Sequence, residues 1–174
     1  MANLYTNQGA FMQTLLLVSH TFWEDSKVNK ALLESAKSLP NLTIHNLNTA
    51  YPNGTIDVAK EVELLTKAQK IIFQFPLFWF STPALMKEWQ DRVLTHILYG
   101  ENPKLLHGKS FQVITTLGGS KDSYDGHHGY SLETILTPLT STFSYCGCKV
   151  LEPYAIFSAK PDSLPTQEYL SLLG

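Results

Sequence analysis

The stretch "FQFPLFWFSTPALMKEWQDRVL", Phe73 to Leu94, begins as a buried strand and ends as an amphipathic helix. Its middle crowds Phe78, Trp79 and Phe80 between Pro76 and Pro83, where turn formers such as Gly, Asn and Ser are the usual occupants. Large rings in a connection imply an apolar surface for them to lie against. Before the loop, Ile71 to Phe75 reads as a strand. After it, Thr82 and Pro83 form an N-cap and first-turn pair, and Leu85, Trp89, Val93 and Ile97 keep one apolar stripe. Lys87 with Asp91 and Glu88 with Arg92 line the solvent side at four-residue spacing.

Working outward, Gln13 to Val18 reads as a first buried strand, and from Ser26 the residues Val28, Leu32, Ala36 and Leu39 recur at helical spacing. Leu42 to Leu47 forms a second strand, and Asp57 caps a helix carrying Val58, Val62 and Leu65. Phe111 to Thr116 is a fourth strand, Ser131 starts a helix that Pro138 kinks or splits, and Val150 to Ser158 holds a fifth strand. A short helix, Pro165 to Leu173, follows. Five short strands alternating with helices, the inner ones continuously apolar, predict an α/β fold: a five-stranded parallel sheet with helices on both faces. Residues 1–12 read as a flexible N-terminal tail and 13–174 as a single domain. In such sheets ligands bind beyond the carboxyl ends of the strands, where strand order reverses. That selects the loops Ser19–Asp25, Pro76–Thr82 and Leu117–Tyr130, and it turns the aromatic loop toward a crevice suited to a flat aromatic ligand.

Composition removes other classes. With 174 residues and a formal charge of -2, acidic and basic residues well mixed, neither a nucleic-acid surface nor a polybasic membrane anchor finds support. The apolar run Leu15–Val18 is too short for a signal peptide or a spanning helix, so a cytoplasmic location is expected. Cys146 and Cys148 are spaced for neither a disulfide, a zinc site nor a thioredoxin-type pair, and read as buried thiols. No dinucleotide fingerprint follows the first strand. His107-Gly-Lys-Ser110 imitates a phosphate loop but leads into a strand, and no nucleophile elbow occurs. The six histidines lack metal-ligand spacing, so no metal site is expected.

The stretch Gln74-Phe-Pro-Leu-Phe-Trp-Phe-Ser-Thr-Pro83, followed by Lys87, Trp89, Arg92, Val93 and Leu94, resembles the signature of the flavodoxin-like NAD(P)H:quinone oxidoreductases. That family includes the ancillary flavoproteins of glutathione-gated potassium efflux systems. The resemblance continues through Thr115, Thr116, Gly118, Gly119 and Tyr124, then Cys146-Gly147 and Leu151-Glu-Pro153. It implies a flavodoxin-like fold and a two-step, ping-pong hydride transfer from NAD(P)H through bound flavin to a quinone or similar acceptor, in a homodimer.

By that resemblance, Ser26, Lys27, Val28 and Asn29 hold the flavin phosphate, with His20 nearby. A helix start suits an anion physically, although Ser26 taken alone reads equally as a plain N-cap. Pro76, Leu77, Phe78, Trp79 and Phe80 line the isoalloxazine, partly through backbone contacts. Thr115, Thr116, Leu117, Gly118 and Gly119 wrap its pyrimidine side. Tyr124 and a histidine are the implied catalytic pair, placed near the charge on the reduced ring. Leu117 looks like an extra residue, so the histidine falls on His127, His128 or the slot of Gly129, and His128 is taken. Shortness relative to larger members favours FMN over FAD as cofactor and leaves the choice of NADH or NADPH open. Two other readings stand beside the enzyme: a regulatory subunit bound to a potassium efflux protein, and an electron-carrier flavodoxin. The carrier's hydroxyl-and-glycine phosphate loop is missing between Ser19 and Ser26.

Overall fold

The computed structural model describes residues 12–127 and 129–174. The tail expected over residues 1–12 lies, apart from Met12, outside the described residues. The elements run β1 (Thr14–Val18), α1 (Val28–Ala36), β2 (Leu42–Asn46), α2 (Leu47–Ala50), α3 (Val58–Lys67), β3 (Lys70–Pro76), α4 (Ala84–Trp89), α5 (Thr95–Tyr99), β4 (Ser110–Thr116), α6 (Leu132–Tyr145), β5 (Lys149–Val150), β6 (Tyr154–Ile156) and α7 (Thr166–Leu173). All pairings among these strands are parallel, in the order β2-β1-β3-β4-β5, and β6 also pairs with β4.

Six strands thus replace the five expected, because Val150–Ser158 does not form one strand. β5 and β6 share the outer position beside β4. Ser110 lies opposite Lys149 but Ile114 opposite Tyr154, so the edge carries one residue more than β4 and bulges. Pro153 has no N–H for the ladder, and the Gln112 side chain donates to the Glu152 carbonyl at 2.9 Å instead.

The strand alternation sorts the core. Leu16, Val18, Ile72, Ile114 and Ile156 pack with α1 and α7. Leu15, Leu17, Phe73, Phe75, Phe111 and Val113 face the helices from α3 to α6. There Phe111 and Phe143 stack at 3.6 Å, with Phe73 edge-on to both. Chain order moves from β1 out to β2 and back across to β3. The loops leaving β1 and β3 therefore diverge, and a crevice opens between them.

Three local expectations shift. The helix after the aromatic loop is capped by Pro83, whose carbonyl accepts from Met86 and Lys87, so Thr82 lies one residue outside. A π-helical turn, Gln90–Leu94, joins α4 to α5, and the stripe through Trp89, Val93 and Ile97 stays buried. α6 runs unbroken through Pro138, because Thr134 and Pro138 lie on its exposed side, where the freed carbonyl can meet water. Cys146-Gly147 ends that helix. Gly147 takes φ +87° against the His107 ring, and the Cys148 N–H reaches back to the Phe143 carbonyl. Burial pushes the Cys148 thiol up to about 11.

One buried carboxylate ties this side together. Glu61 of α3 is fully buried. It accepts from His45 Nε2 and from Trp89 Nε1, each at 2.7 Å, and from the Tyr51 hydroxyl. Burial opposes its charge, but these hydrogen bonds outweigh burial and hold the carboxyl below its ordinary range. The cluster joins β2, the end of α2, α3 and α4.

Glu61→Gln should cost about 2–3 kcal/mol at neutral pH, a fall of about 6–10 °C in melting temperature. A depressed carboxyl pKa stabilises above the unfolded value of about 4.3 and loses that contribution as pH falls through the folded value. The gap between wild type and variant, followed by thermal unfolding, should narrow below about pH 4. A gap independent of pH would mean that Glu61 carries no charge in the folded protein.

Candidate functional site

Loops after β1, β3, β4 and β6 enclose a crevice of about 760 Å³ at the carboxyl rim of the sheet. The first loop leaves β1 at Ser19, whose N–H donates to the Gln74 carbonyl, and folds through two tight turns into α1. α1 starts without a side-chain cap or an acidic residue in its first turn, so its leading backbone donors have no negative partner of their own. Ser26, Lys27, Val28 and Asn29 line the crevice there. Ser26 is not the N-cap, which is Lys27. The Ser26 hydroxyl oxygen is instead buried without a hydrogen-bond partner, as is that of Ser19. An oxygen-rich anion at this helix start would satisfy the Ser26 hydroxyl and the free N–H groups together.

His20 is buried beside them, and its Nδ1 accepts from the Phe22 N–H at 3.0 Å, so the neutral ring carries its proton on Nε2. Burial, then Lys30, lowers its pKa against the pull of Asp25. The Asn48 side chain clamps the His20 backbone at two points, accepting from its N–H and donating to its carbonyl, both at 2.9 Å. Nothing in the local sequence announces this contact, which spans 28 residues. The His20 ring sits edge-on to Phe78 at 5.5 Å.

The aromatic loop divides. Pro76, Leu77 and Phe78 line the crevice; the side chains of Trp79 and Phe80 do not. Phe78 to Ser81 closes a tight turn, with the Ser81 N–H on the Phe78 carbonyl at 3.1 Å. Both central residues take positive φ, Trp79 at 50° and Phe80 at 62°, the pattern of a type I′ turn that Asn-Gly fills without strain. Trp79 is 93% exposed and Phe80 61%, and Phe80 faces a second groove.

On the third loop, Thr116, Leu117, Gly118, Gly119 and Tyr124 line the crevice. Thr115 does not; its side chain points to the other face of the sheet and donates to the Phe75 carbonyl. A Cβ on Gly119 would lie 2.9 Å from the Tyr124 ring, so glycine there lets the phenol close over the backbone. His128 lies outside the described residues, and His127 is exposed. Four lining residues were not singled out from the sequence: Phe22 and Asp25, within the first selected loop, and Ala159 and Pro161 beyond all three. The last two follow β6, whose end shares the same rim. Among the described residues no group of three or more His, Cys, Asp or Glu side chains converges as a metal site, and no helix is long and apolar enough to cross a membrane.

The chain is similar over most of its length to several known proteins. A family described as flavodoxin-like fold matches residues 12–170. An uncharacterised NAD(P)H oxidoreductase, YrkL, of Bacillus subtilis is 38% identical over 146 residues, covering 82% of this chain and 84% of the relative. The glutathione-regulated potassium-efflux system ancillary protein KefF of Salmonella typhimurium is 38% identical over 159 residues, covering 88% and 89%. General stress protein 14 of Treponema denticola, solved in complex with FMN, superposes with a TM-score of 0.79 at 31% identity, covering 91% of this chain and 92% of that one. An NADPH-quinone reductase from P. pentosaceus gives 0.79 at 26% identity, covering 93% and 95%.

Replacing the almost wholly exposed residue of the turn centre, Trp79→Asn, should raise the stability of the ligand-free protein by about 0.5 kcal/mol, or roughly 1–2 °C in melting temperature. A lowered melting temperature would show that the Trp79 ring holds the loop through contacts that outweigh the strain.

Proposed function

The chain belongs to the flavodoxin-like fold family, and from that premise we propose that it is an FMN-dependent NAD(P)H oxidoreductase delivering two electrons to a quinone or similar small acceptor. The observation that carries the reading is the buried, unpartnered hydroxyl of Ser26 beside the uncapped start of α1. It is a socket for a phosphate at one end of a crevice whose other end has flat apolar walls. Ser26 and the backbone of Lys27, Val28 and Asn29 would hold the phosphate. Leu77 and Phe78 on one side and Thr116 to Gly119 on the other would hold the ring, and Trp79 and Phe80 would flank its entrance. Bound FMN supplies the acceptance of hydride from the nicotinamide and its passage to the acceptor. The chain's own part is to orient and to steady charge. Backbone N–H groups at Gly118 and Gly119, the Tyr124 hydroxyl and the neutral His20 ring offer donors without placing a full cation in the slot. FMN is favoured over FAD because general stress protein 14 of Treponema denticola, similar to this chain over most of its length, is solved with FMN. Residues 13–174 act as one domain, and a cytoplasmic location suits the nicotinamide donor.

A second copy of this chain is assigned to the groove of about 320 Å³ between α4–α5 and α6, lined among others by Phe80, Leu94, Leu98, Ile135, Leu139 and Tyr145. Leu77 lines both groove and crevice, so a partner seated there would adjoin the site. The similarity to KefF supports a further role as the ancillary subunit of a potassium efflux system. Co-purification with such a membrane protein tests it, and absence of co-purification counts against it.

Anaerobic addition of NADPH or NADH should bleach the visible band of FMN bound to the protein; bound flavin that stays oxidised with both donors overturns the enzyme reading. Ser26→Ala should weaken FMN about tenfold, a loss of about 1.4 kcal/mol, and leave riboflavin binding unchanged. An equal loss for both ligands would remove Ser26 from the phosphate. Sedimentation should give the mass of two chains, and a monomer at micromolar concentration would end the dimer assignment.

A further inference from the structure

On the α1 and α7 side of the sheet, four buried side chains form a hydrogen-bonded chain from the C-terminal helix to the crevice. The Tyr169 hydroxyl donates to Gln74 Oε1 at 2.7 Å, Gln74 Nε2 to Asn29 Oδ1 at 3.0 Å, and Asn29 Nδ2 to Thr116 Oγ1 at 3.1 Å. Tyr169 and Gln74 are fully buried, while Asn29 and Thr116 line the crevice. The two ends of the chain are therefore not equivalent.

An amide can be turned, so the direction of such a chain needs a cause. Reversed, the Thr116 hydroxyl would donate to Asn29, and Gln74 would donate to the phenol oxygen. The phenol hydrogen would then lose the acceptor it has, Gln74 Oε1, within a core built from Leu16, Ile72, Ile114 and Leu173. Burial also holds the Tyr169 proton far above its ordinary range, so the phenol remains a donor at any pH the protein meets. With Tyr169 donating, each amide is fixed in turn. Thr116 Oγ1 receives a hydrogen bond from below, and its own hydrogen is left for the crevice.

We propose that Tyr169 and Gln74 are positioning residues which, through Asn29, fix the Thr116 hydroxyl as a hydrogen-bond donor to the bound ligand. The site thereby selects a ligand with an acceptor oxygen or nitrogen at that place. The proposal rests on the flavin reading given above and takes the acceptor to be an atom of the flavin. A residue on the last helix, remote from the crevice, thus sets the polarity of one of its contacts.

A double-mutant cycle on FMN affinity, measured by quenching of flavin fluorescence, tests the proposal. Thr116→Val should weaken FMN about tenfold and Thr116→Ser should restore most of it. Tyr169→Phe, which keeps the buried ring and frees both amides to turn, should weaken FMN severalfold. The Tyr169→Phe, Thr116→Val double variant should bind no worse than Thr116→Val alone. If thermal unfolding finds Tyr169→Phe too unstable to compare, Gln74→Met interrupts the chain one link further on and carries the same expectation. Wild-type affinity in Tyr169→Phe or in Thr116→Val, or losses that multiply in the double variant, would overturn the proposal. Failure of the wild-type protein itself to bind FMN would defeat the flavin reading and the proposal with it, and is told apart because all variants then fail alike.

Discussion

The site depends on strands of unequal length at the sheet's carboxyl rim. β1 stops pairing where Val18 meets Gln74, while β3 and β4 stay paired as far as Pro76 and Thr116. Beyond Val18 the chain turns away after one last hydrogen bond, from Ser19 to the Gln74 carbonyl, and leaves one edge of β3 bare. A bare edge normally exposes an unpaired N–H. The residue that would carry it on this side is Pro76, which has none. The proline opening the aromatic loop therefore lets a strand end inside the molecule without leaving a buried donor unpaired. It faces the crevice with a carbonyl and ring carbons only.

The rest of the architecture holds that step in place from both faces. On one side Glu61 draws β2, the end of α2, α3 and α4 together. α2 in turn carries Asn48, which grips the His20 backbone. On the other, the chain from Tyr169 crosses β3 at Gln74 and ends at β4 and the start of α1. The two polar systems flank the sheet, and each reaches one of the loops that bound the crevice. Buried polar networks of this kind fix geometry more than they add stability.

Much of this was legible in the residues. Continuous apolar runs gave the parallel strands, and the 3.6-residue stripe through Trp89, Val93 and Ile97 gave the helix after the loop. The rule of strand ends found the three main loops. Alternation along β4 also decides between neighbours: Thr115 falls with Val113 on the α3–α6 face, Thr116 with Ile114 on the other. What stayed illegible was nonlocal or depended on backbone geometry. Asn48 and Glu61 carry no local pattern that names their partners. The bulge between β5 and β6 needs the register with β4. Nor do Trp79 and Phe80 signal a turn with two positive φ angles, because the Gly or Asn that usually marks one is absent.

That turn separates two kinds of requirement. Ser26, at the start of α1, is buried against the core, so a larger side chain there would disturb folding. Trp79 stands almost wholly in solvent, on a backbone conformation that other residues tolerate better. Over evolutionary time the rim can vary by substitution, because changes there do not draw on the narrow stability margin that constrains the remainder of the chain.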